Sequence, residues 1–250
     1  MIGVMGGSGL SNLPGLTISE QIQLDTPFGE PSAPIIKGLL NDKTILFLPR
    51  HGEHHTIPPH LINYRANLWA LHHLGVADVV AVAAVGGISE SMMPGILAIP
   101  DQIIDYTWGR DSSVFSEGFS ADKHIDFAEP YDAGLRRQIL EAANRIGLDI
   151  IDGGTYAVTQ GPRLETAAEI RRLARDGADM VGMTAMPEAA IARELSIAYA
   201  GIAVVANKGA GLQGSILTMD AILQTLATAM DSVKNLINAL VSHQDYSGKA

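Results

Sequence analysis

The sequence predicts an α/β fold: one domain spanning residues 1–250, with a central mixed, twisted sheet flanked by helices. Three observations carry this expectation. Short, nearly continuous apolar runs at 79–88 and 197–206 have the length and β-branched content of strands buried on both faces. Helical periodicity recurs between such runs, as at 132–146 and from Thr218 onward. Several runs also end in glycine or polar residues, as strands do where their carboxyl ends meet a ligand.

Residues 2–5 read as a first strand entering Gly6, Gly7, Ser8 and Gly9. Such a loop brings backbone N–H groups close to an oxyanion, and Ser8 adds a hydroxyl, although a structural turn explains it equally well. A dinucleotide fingerprint would need glycine at Asn12, and a phosphate loop would need Gly-Lys-Ser/Thr. A nucleophile elbow would need glycine at Leu10. Residues 43–48 form a buried strand ending in Pro49, Arg50, His51 and Gly52. Arginine at a strand end suits phosphate, which it grips through two parallel N–H bonds. His51, His54 and His55 invite a metal, but Gly52, Pro58 and Pro59 make this a loop without His-Glu-x-x-His order, so no metal is expected.

Residues 61–74 predict a helix with Leu61, Leu68, Leu71 and Leu74 on one face and Gly75 to end it. The strand at 78–85 ends in Gly86 and Gly87, which offer bare backbone to a flat ligand or a phosphate. Residues 96–104 read as a further strand, and 106–129, lacking periodicity, as a long loop of the kind that is usually functional or mobile. Asp132 caps a helix through Ile146, with Leu135, Ile139, Ala143 and Ile146 on one face. After a strand at 156–159 comes a polar turn, then the capping-box pair Thr166 and Glu169, which leaves Glu165 outside the helix to face a ligand.

The stretch 182–209 organises the rest. Met183 and Thr184 leave one strand, and Pro187 opens a helix where its missing N–H costs nothing. Glu188 lies in the first turn, beside the positive helix end. The run 197–205 then stops at Asn207, Lys208 and Gly209. Singly, Thr184, Glu188 and Asn207 read as caps and turn residues; together, two polar strand ends joined by a helix make a ligand site. The last helix starts near Thr218, its stripe of Ile222, Leu226, Met230, Val233, Ile237 and Leu240 keeping the 3.6 period. Met219, Ile222 and Leu223 lie where a helix start walls a pocket, and residues 244–250 are expected to fray.

Composition narrows the function. With 47% hydrophobic and 18% charged residues, 250 residues suffice for a substantial core. A net charge of −10 argues against nucleic acid and anionic membranes as partners, so any anionic substrate needs local positive charge. The absence of cysteine removes disulfides, thiol nucleophiles and thiolate metal sites. No apolar run approaches the roughly 20 residues of a membrane helix, and the first residues carry no basic leader, so a soluble, cytoplasmic protein is expected.

Five motifs, in this order, make the chain resemble the trimeric nucleoside phosphorylases, in the branch that contains 5′-methylthioadenosine phosphorylase. They are Gly6-Gly7-Ser8-Gly9, Pro49-Arg50-His51-Gly52, Asn63-Tyr64-Arg65-Ala66-Asn67, Thr159-Gln160-Gly161-Pro162-Arg163, and Gly182-Met183-Thr184 with Pro187-Glu188. The resemblance implies a homotrimer and reversible phosphorolysis of a purine nucleoside, with inorganic phosphate as co-substrate and neither metal nor organic cofactor. It places phosphate against Ser8, Arg50, His51, the backbone at Ala84 and the hydroxyl of Thr184, with Met183 under the ribose. Glu165 and Asn207 would address the purine, and Leu164 stands where relatives often pack phenylalanine on the base. Met219, Ile222 and Leu223 would line the 5′ pocket, and His124 would reach into the neighbouring subunit's site. Arg50, Glu165 and Asn207 carry the catalytic roles in this pattern.

Departures from the pattern sharpen the substrate. Asn207-Lys208 stands where methylthioadenosine phosphorylases carry aspartate at the first and third positions, and Glu165 follows the inosine type. A 6-oxopurine offers N1–H to a carboxylate and O6 or N7 to an amide, whereas adenine turns a lone pair on the carboxylate; such mismatches reject analogues strongly. Met219 stands where inosine-type enzymes place a histidine for the 5′-hydroxyl, and an apolar wall suits a thioether. The combination predicts 5′-methylthioinosine. The competing expectations are a methylthioadenosine phosphorylase, a general inosine/guanosine phosphorylase and, from another class, a nucleotide-binding sensor on the same scaffold.

Overall fold

The computed structural model describes residues 1–7, 13–212 and 218–243, with only the backbone of Met219. Among these residues, eleven strands join one mixed sheet. Its centre is β5 (Asp78–Gly87), the run of valine and alanine that reads as buried on both faces. It pairs in parallel with β1 (Ile2–Gly6) on one side and with β11 (Ala198–Lys208) on the other. Beyond β1 lies parallel β4 (Lys43–Pro49), then antiparallel β3 (Ile35–Leu40) and β2 (Thr17–Ile22). The end of β5 also takes antiparallel β10 (Met180–Gly182), followed by parallel β9 (Thr155–Val158) and β7 (Gln102–Asp105). β11 carries antiparallel β6 (Leu97–Ile99), which pairs with β8 (Ile150–Asp152).

Alternation along the strands explains the layers. Ile2, Val4, Val80, Val82, Ala200 and Ile202 point to one face, where they meet α2 (Ala133–Arg145) and α5 (Met219–His243) through Leu135, Ile139, Val233 and Ile237. Met5, Leu46, Leu48, Val79, Ala81 and Tyr199 point to the other, against α1 (Tyr64–His73) and α4 (Ala185–Glu194). The helices thus flank a mixed sheet, as expected.

Local chemistry accounts for most boundaries. Thr166 and Glu169 form the full capping box of α3 (Ala167–Arg175), and Asp132 accepts from Leu135 N–H at 2.7 Å to start α2. Gly75 ends α1 with φ +83°. Met186 is non-helical (φ −117°, ψ 137°), so the continuous part of α4 begins at Pro187; a residue before proline is pushed out of the helical region.

Some boundaries move. Leu61 is 66% exposed in a separate 3₁₀ turn, Pro59–Leu61, because the side chain of Asn63 caps the helix by accepting from Ala66 N–H. Leu68 and Leu71 keep the expected buried face. Ile146 caps the end of α2 and is 43% exposed, outside its apolar stripe. The strand expected at 96–104 is two strands, since Pro100 supplies no N–H to a ladder and the chain turns there from β6 to β7. The hairpin of β2 and β3 was not legible because β2 is exposed along almost its whole length. The stretch 106–129 is a loop apart from a 3₁₀ turn at Ala121–Lys123. Residues 244–250 lie outside those described. No helix among the described residues is long and apolar enough to cross a membrane.

Candidate active site

The site begins as a gap in the sheet. β1 pairs with β5 only as far as Ala81, and β10 joins β5 only from Gly86, so 82–85 have no strand on that side. Arg50, just past the end of β4, enters this gap. It is 2% exposed, and its Nη1 donates to the Val82 carbonyl at 3.0 Å. Its Nε and Nη2 donate to the two carboxylate oxygens of Glu188, at 2.5 and 2.7 Å, and the Tyr199 hydroxyl donates to the same carboxylate at 2.9 Å. Burial works against the charge on Arg50, but Glu188 outweighs it and holds the group above the usual guanidinium range. Among the described residues, five N–H groups less three bonds leaves two, one on each terminal nitrogen, as a fork for an anion.

Glu188 therefore does not serve the helix end, as its sequence position suggested; it is fully buried and holds the arginine. Thr184 makes no side-chain cap bond either, and is 94% buried with its hydroxyl at the head of α4. His51 contacts the Ile57 carbonyl through Nδ1 at 2.8 Å. A carbonyl only accepts, so Nδ1 carries the proton and Nε2 keeps its lone pair. Burial, then the adjacent Arg50 charge, lowers the pKa of His51 to about 4.

The opposite side of the site is built on the ends of β9 and β11. Thr159 follows β9, and its hydroxyl donates to Glu165 at 2.6 Å, fixing one oxygen and leaving the other available. The register of β11 against β5 shifts between Val205 and Asn207, a bulge that re-aims Asn207 at the edge of the cavity. Among the described residues the Asn207 amide donates once, to the Lys208 carbonyl at 2.7 Å, which leaves its second N–H and its oxygen. Lys208 turns away from the site and donates to the Ser89 carbonyl at 2.8 Å, anchoring the strand end. Of the two glycines closing β5, Gly86 borders the cavity, whereas a Cβ on Gly87 would fall 2.0 Å from the Met92 carbonyl oxygen; Gly87 is glycine for packing.

These groups share one cavity of about 780 Å³. Gly7, Arg50, His51, Ala84, Leu164, Glu165, Met183, Thr184 and Asn207 all line it. Ile222 and Leu223, with Leu226 and Met230, form an apolar wall from the start of α5. His124 is outside this chain's cavity, exposed, with its ring 5.0 Å edge-on to Phe119. Ser8 lies outside the described residues, and Met219 is placed in the first turn of α5 without a described side chain. Tyr199 and the pairing of Glu188 were not foreseen, because a buried partner 138 residues from Arg50 carries no local signal. Such an arrangement can hold an anion against a polar, planar group with an apolar substituent alongside.

A sheet edge with a buried guanidinium, a carboxylate–carboxamide pair and an apolar wall in one cavity defines a small-molecule enzyme of the α/β class. The profile of the Phosphorylase superfamily matches residues 1–242. A probable S-methyl-5′-thioinosine phosphorylase of Xanthomonas campestris is 47% identical over 240 residues, covering 96% of each chain. A 6-oxopurine nucleoside phosphorylase of Pyrococcus furiosus is 42% identical, covering 96% of this chain and 91% of the relative. The structure of methylthioadenosine phosphorylase from Schistosoma mansoni in complex with adenine superimposes with a TM-score of 0.90 at 30% identity, covering 98% of this chain and 93% of that one. The chain belongs to the Phosphorylase superfamily.

Proposed function

We propose that this protein catalyses phosphorolysis of 5′-methylthioinosine to hypoxanthine and 5-methylthioribose 1-phosphate, using inorganic phosphate and no metal or organic cofactor. The observation that carries the reading is that Glu165 and Asn207 share a cavity with Arg50 and with the apolar start of α5. The relative from Xanthomonas campestris supports the thioether, and that from Pyrococcus furiosus the 6-oxopurine.

Phosphate sits against the free edge of Arg50, His51, the backbone at Ala84 and Thr184, joined by Ser8, with Met183 under the ribose. As the C1′–N9 bond breaks, its electron pair moves to the purine while a phosphate oxygen bonds to C1′. The anionic phosphate stabilises the positive sugar, and the Asn207 amide donates to N7 or O6 of the departing base. Glu165 accepts N1–H, and Leu164 packs on the base. Met219, Ile222 and Leu223 enclose the methylthio group. A cytoplasmic homotrimer, with His124 completing the neighbouring site, fits a histidine that is exposed on its own subunit.

The second reading is a methylthioadenosine phosphorylase, favoured by the structural match to the Schistosoma mansoni enzyme. Initial rates with methylthioinosine, methylthioadenosine and inosine under excess phosphate separate the alternatives. Methylthioinosine is expected to be fastest. A preference for methylthioadenosine overturns the roles of Glu165 and Asn207, and equal rates with inosine overturn that of the α5 wall.

A further inference from the structure

Arg110 lies in the long loop between β7 and α2, a stretch whose sequence gives it no distinguishing pattern. Its guanidinium meets six acceptors, none of them charged. Nε donates to the Gln160 side-chain oxygen at 3.2 Å, and Nη2 to the carbonyls of Thr159 and Gln160 at 3.2 and 2.8 Å. Nη1 is shared among the Met183 and Met186 carbonyls, at 2.8 and 2.6 Å, and the Tyr64 hydroxyl at 3.2 Å. The group also lies over the Tyr64 ring, 5.6 Å from its centre. Arg50, Arg65, Arg136 and Arg163 each pair with a carboxylate, but none of the ion pairs among the described residues involves Arg110.

The acceptors fall into two groups. Thr159 holds Glu165, and Gln160 opens the turn leading to it, so these two support the proposed base contact. Met183 and Met186 flank Thr184, a proposed phosphate contact. The two groups lie past the ends of different strands, β9 and β10, which pair over Met180–Gly182, with the Thr159 N–H donating to the Gly182 carbonyl at 2.8 Å as their last shared bond. One planar fork joins their loose ends. A lysine keeps the charge but has three donors at a single point, so it cannot span both.

We infer that Arg110 is a positioning residue that sets the spacing between the base-holding and phosphate-holding halves of the site, without touching substrate. The inference rests on the proposed phosphorolysis. Each half-site survives alone without Arg110, but the alignment of phosphate, sugar and base does not; misplacement by about 1 Å costs on the order of 100-fold in rate.

The test uses Arg110→Lys and Arg110→Gln in the full chain, assayed on whichever nucleoside the wild type turns over. A wrong substrate then sinks the earlier proposal and leaves this one standing. Expected is a loss of kcat of roughly 100-fold in both variants. Affinities for that nucleoside's free base alone and for phosphate alone, from calorimetry, should stay within about threefold, and lysine should not rescue. Rescue by lysine, or loss of single-ligand binding in step with kcat, overturns the inference: the first assigns Arg110 to electrostatics, the second to general folding. If neither variant folds, Gln160→Met removes the Nε acceptor, together with the same oxygen's bond from the Trp108 N–H at 3.1 Å. A kcat drop of about fivefold at unchanged KM is then expected, roughly the worth of one hydrogen bond, and an unchanged kcat overturns the inference.

Discussion

His51 should make the stability of this protein depend on pH in a particular direction. Its imidazole titrates at about 4 in the fold, against 6.5 as the ordinary value. Above pH 6.5 the ring is neutral folded and unfolded, and contributes nothing. Between 6.5 and 4 the unfolded chain takes a proton that the folded chain refuses, so stability falls as pH falls, by up to about 1.4 kcal/mol per unit. Integrated from neutral pH, the loss reaches about 2 kcal/mol at pH 5; this is an upper bound, because the ring keeps some solvent contact. His51→Asn keeps an N–H for the Ile57 carbonyl and removes the titration. Guanidinium unfolding at pH 7.5, 6 and 5, at one protein concentration, should show the wild type losing more stability than the variant, with the gap opening below pH 6.5. Phosphate bound against the ring would favour its protonated form and flatten the wild-type curve. Parallel curves for the two proteins would mean that His51 titrates normally in the fold, and the account of its burial would be wrong.

Two further predictions address the two walls of the cavity. Glu188→Gln leaves the Arg50 guanidinium buried without a counter-charge, which should cost about 3–5 kcal/mol, and saturating phosphate should restore part of it. Thermal unfolding with and without phosphate measures both; a variant that phosphate stabilises no more than it does the wild type would place the anion away from Arg50. Ile222→Ser removes apolar surface from the α5 wall. It should lower kcat/KM for methylthioinosine by roughly five- to tenfold, the worth of one or two buried methylene equivalents, while inosine changes less than twofold. Equal losses for both nucleosides would show that Ile222 does not face the 5′ substituent.

What was legible in the sequence was what local chemistry dictates. The valine-rich run of β5, the capping box of α3 and the period of α5 each state their own structure within a dozen residues. So do the polar strand ends, which is why Arg50, Glu165, Thr184 and Asn207 could be singled out and why all of them line one cavity. The failures share a cause. β2 is exposed and so has no alternation to read, while Leu61 has the spacing of a helical residue but follows two prolines. Glu188 has the sequence signature of a first-turn acid because the same position serves both purposes; only its partner, supplied by a strand 138 residues earlier, distinguishes them. Arg110 is the extreme case, since all six of its acceptors are neutral oxygens, four of them backbone, at positions 46 to 76 residues away, and no residue-type pattern marks them.

The location of the site follows from the strand that could not be completed. Continuing β1 alongside β5 would cover the edge at 82–85, and moving β10 toward the middle of β5 would do the same from the other end. Either would satisfy the backbone and abolish the cavity. An uncovered edge inside a protein must find other partners, because buried carbonyls and amides without bonds are costly. Arg50 takes one of these carbonyls, and doing so brings a buried cation that in turn needs Glu188. The anion site is thus a consequence of the sheet's irregularity: the gap requires donors, the donors carry charge, and the charge that remains unsatisfied at the free end of the guanidinium is what an anionic substrate would meet.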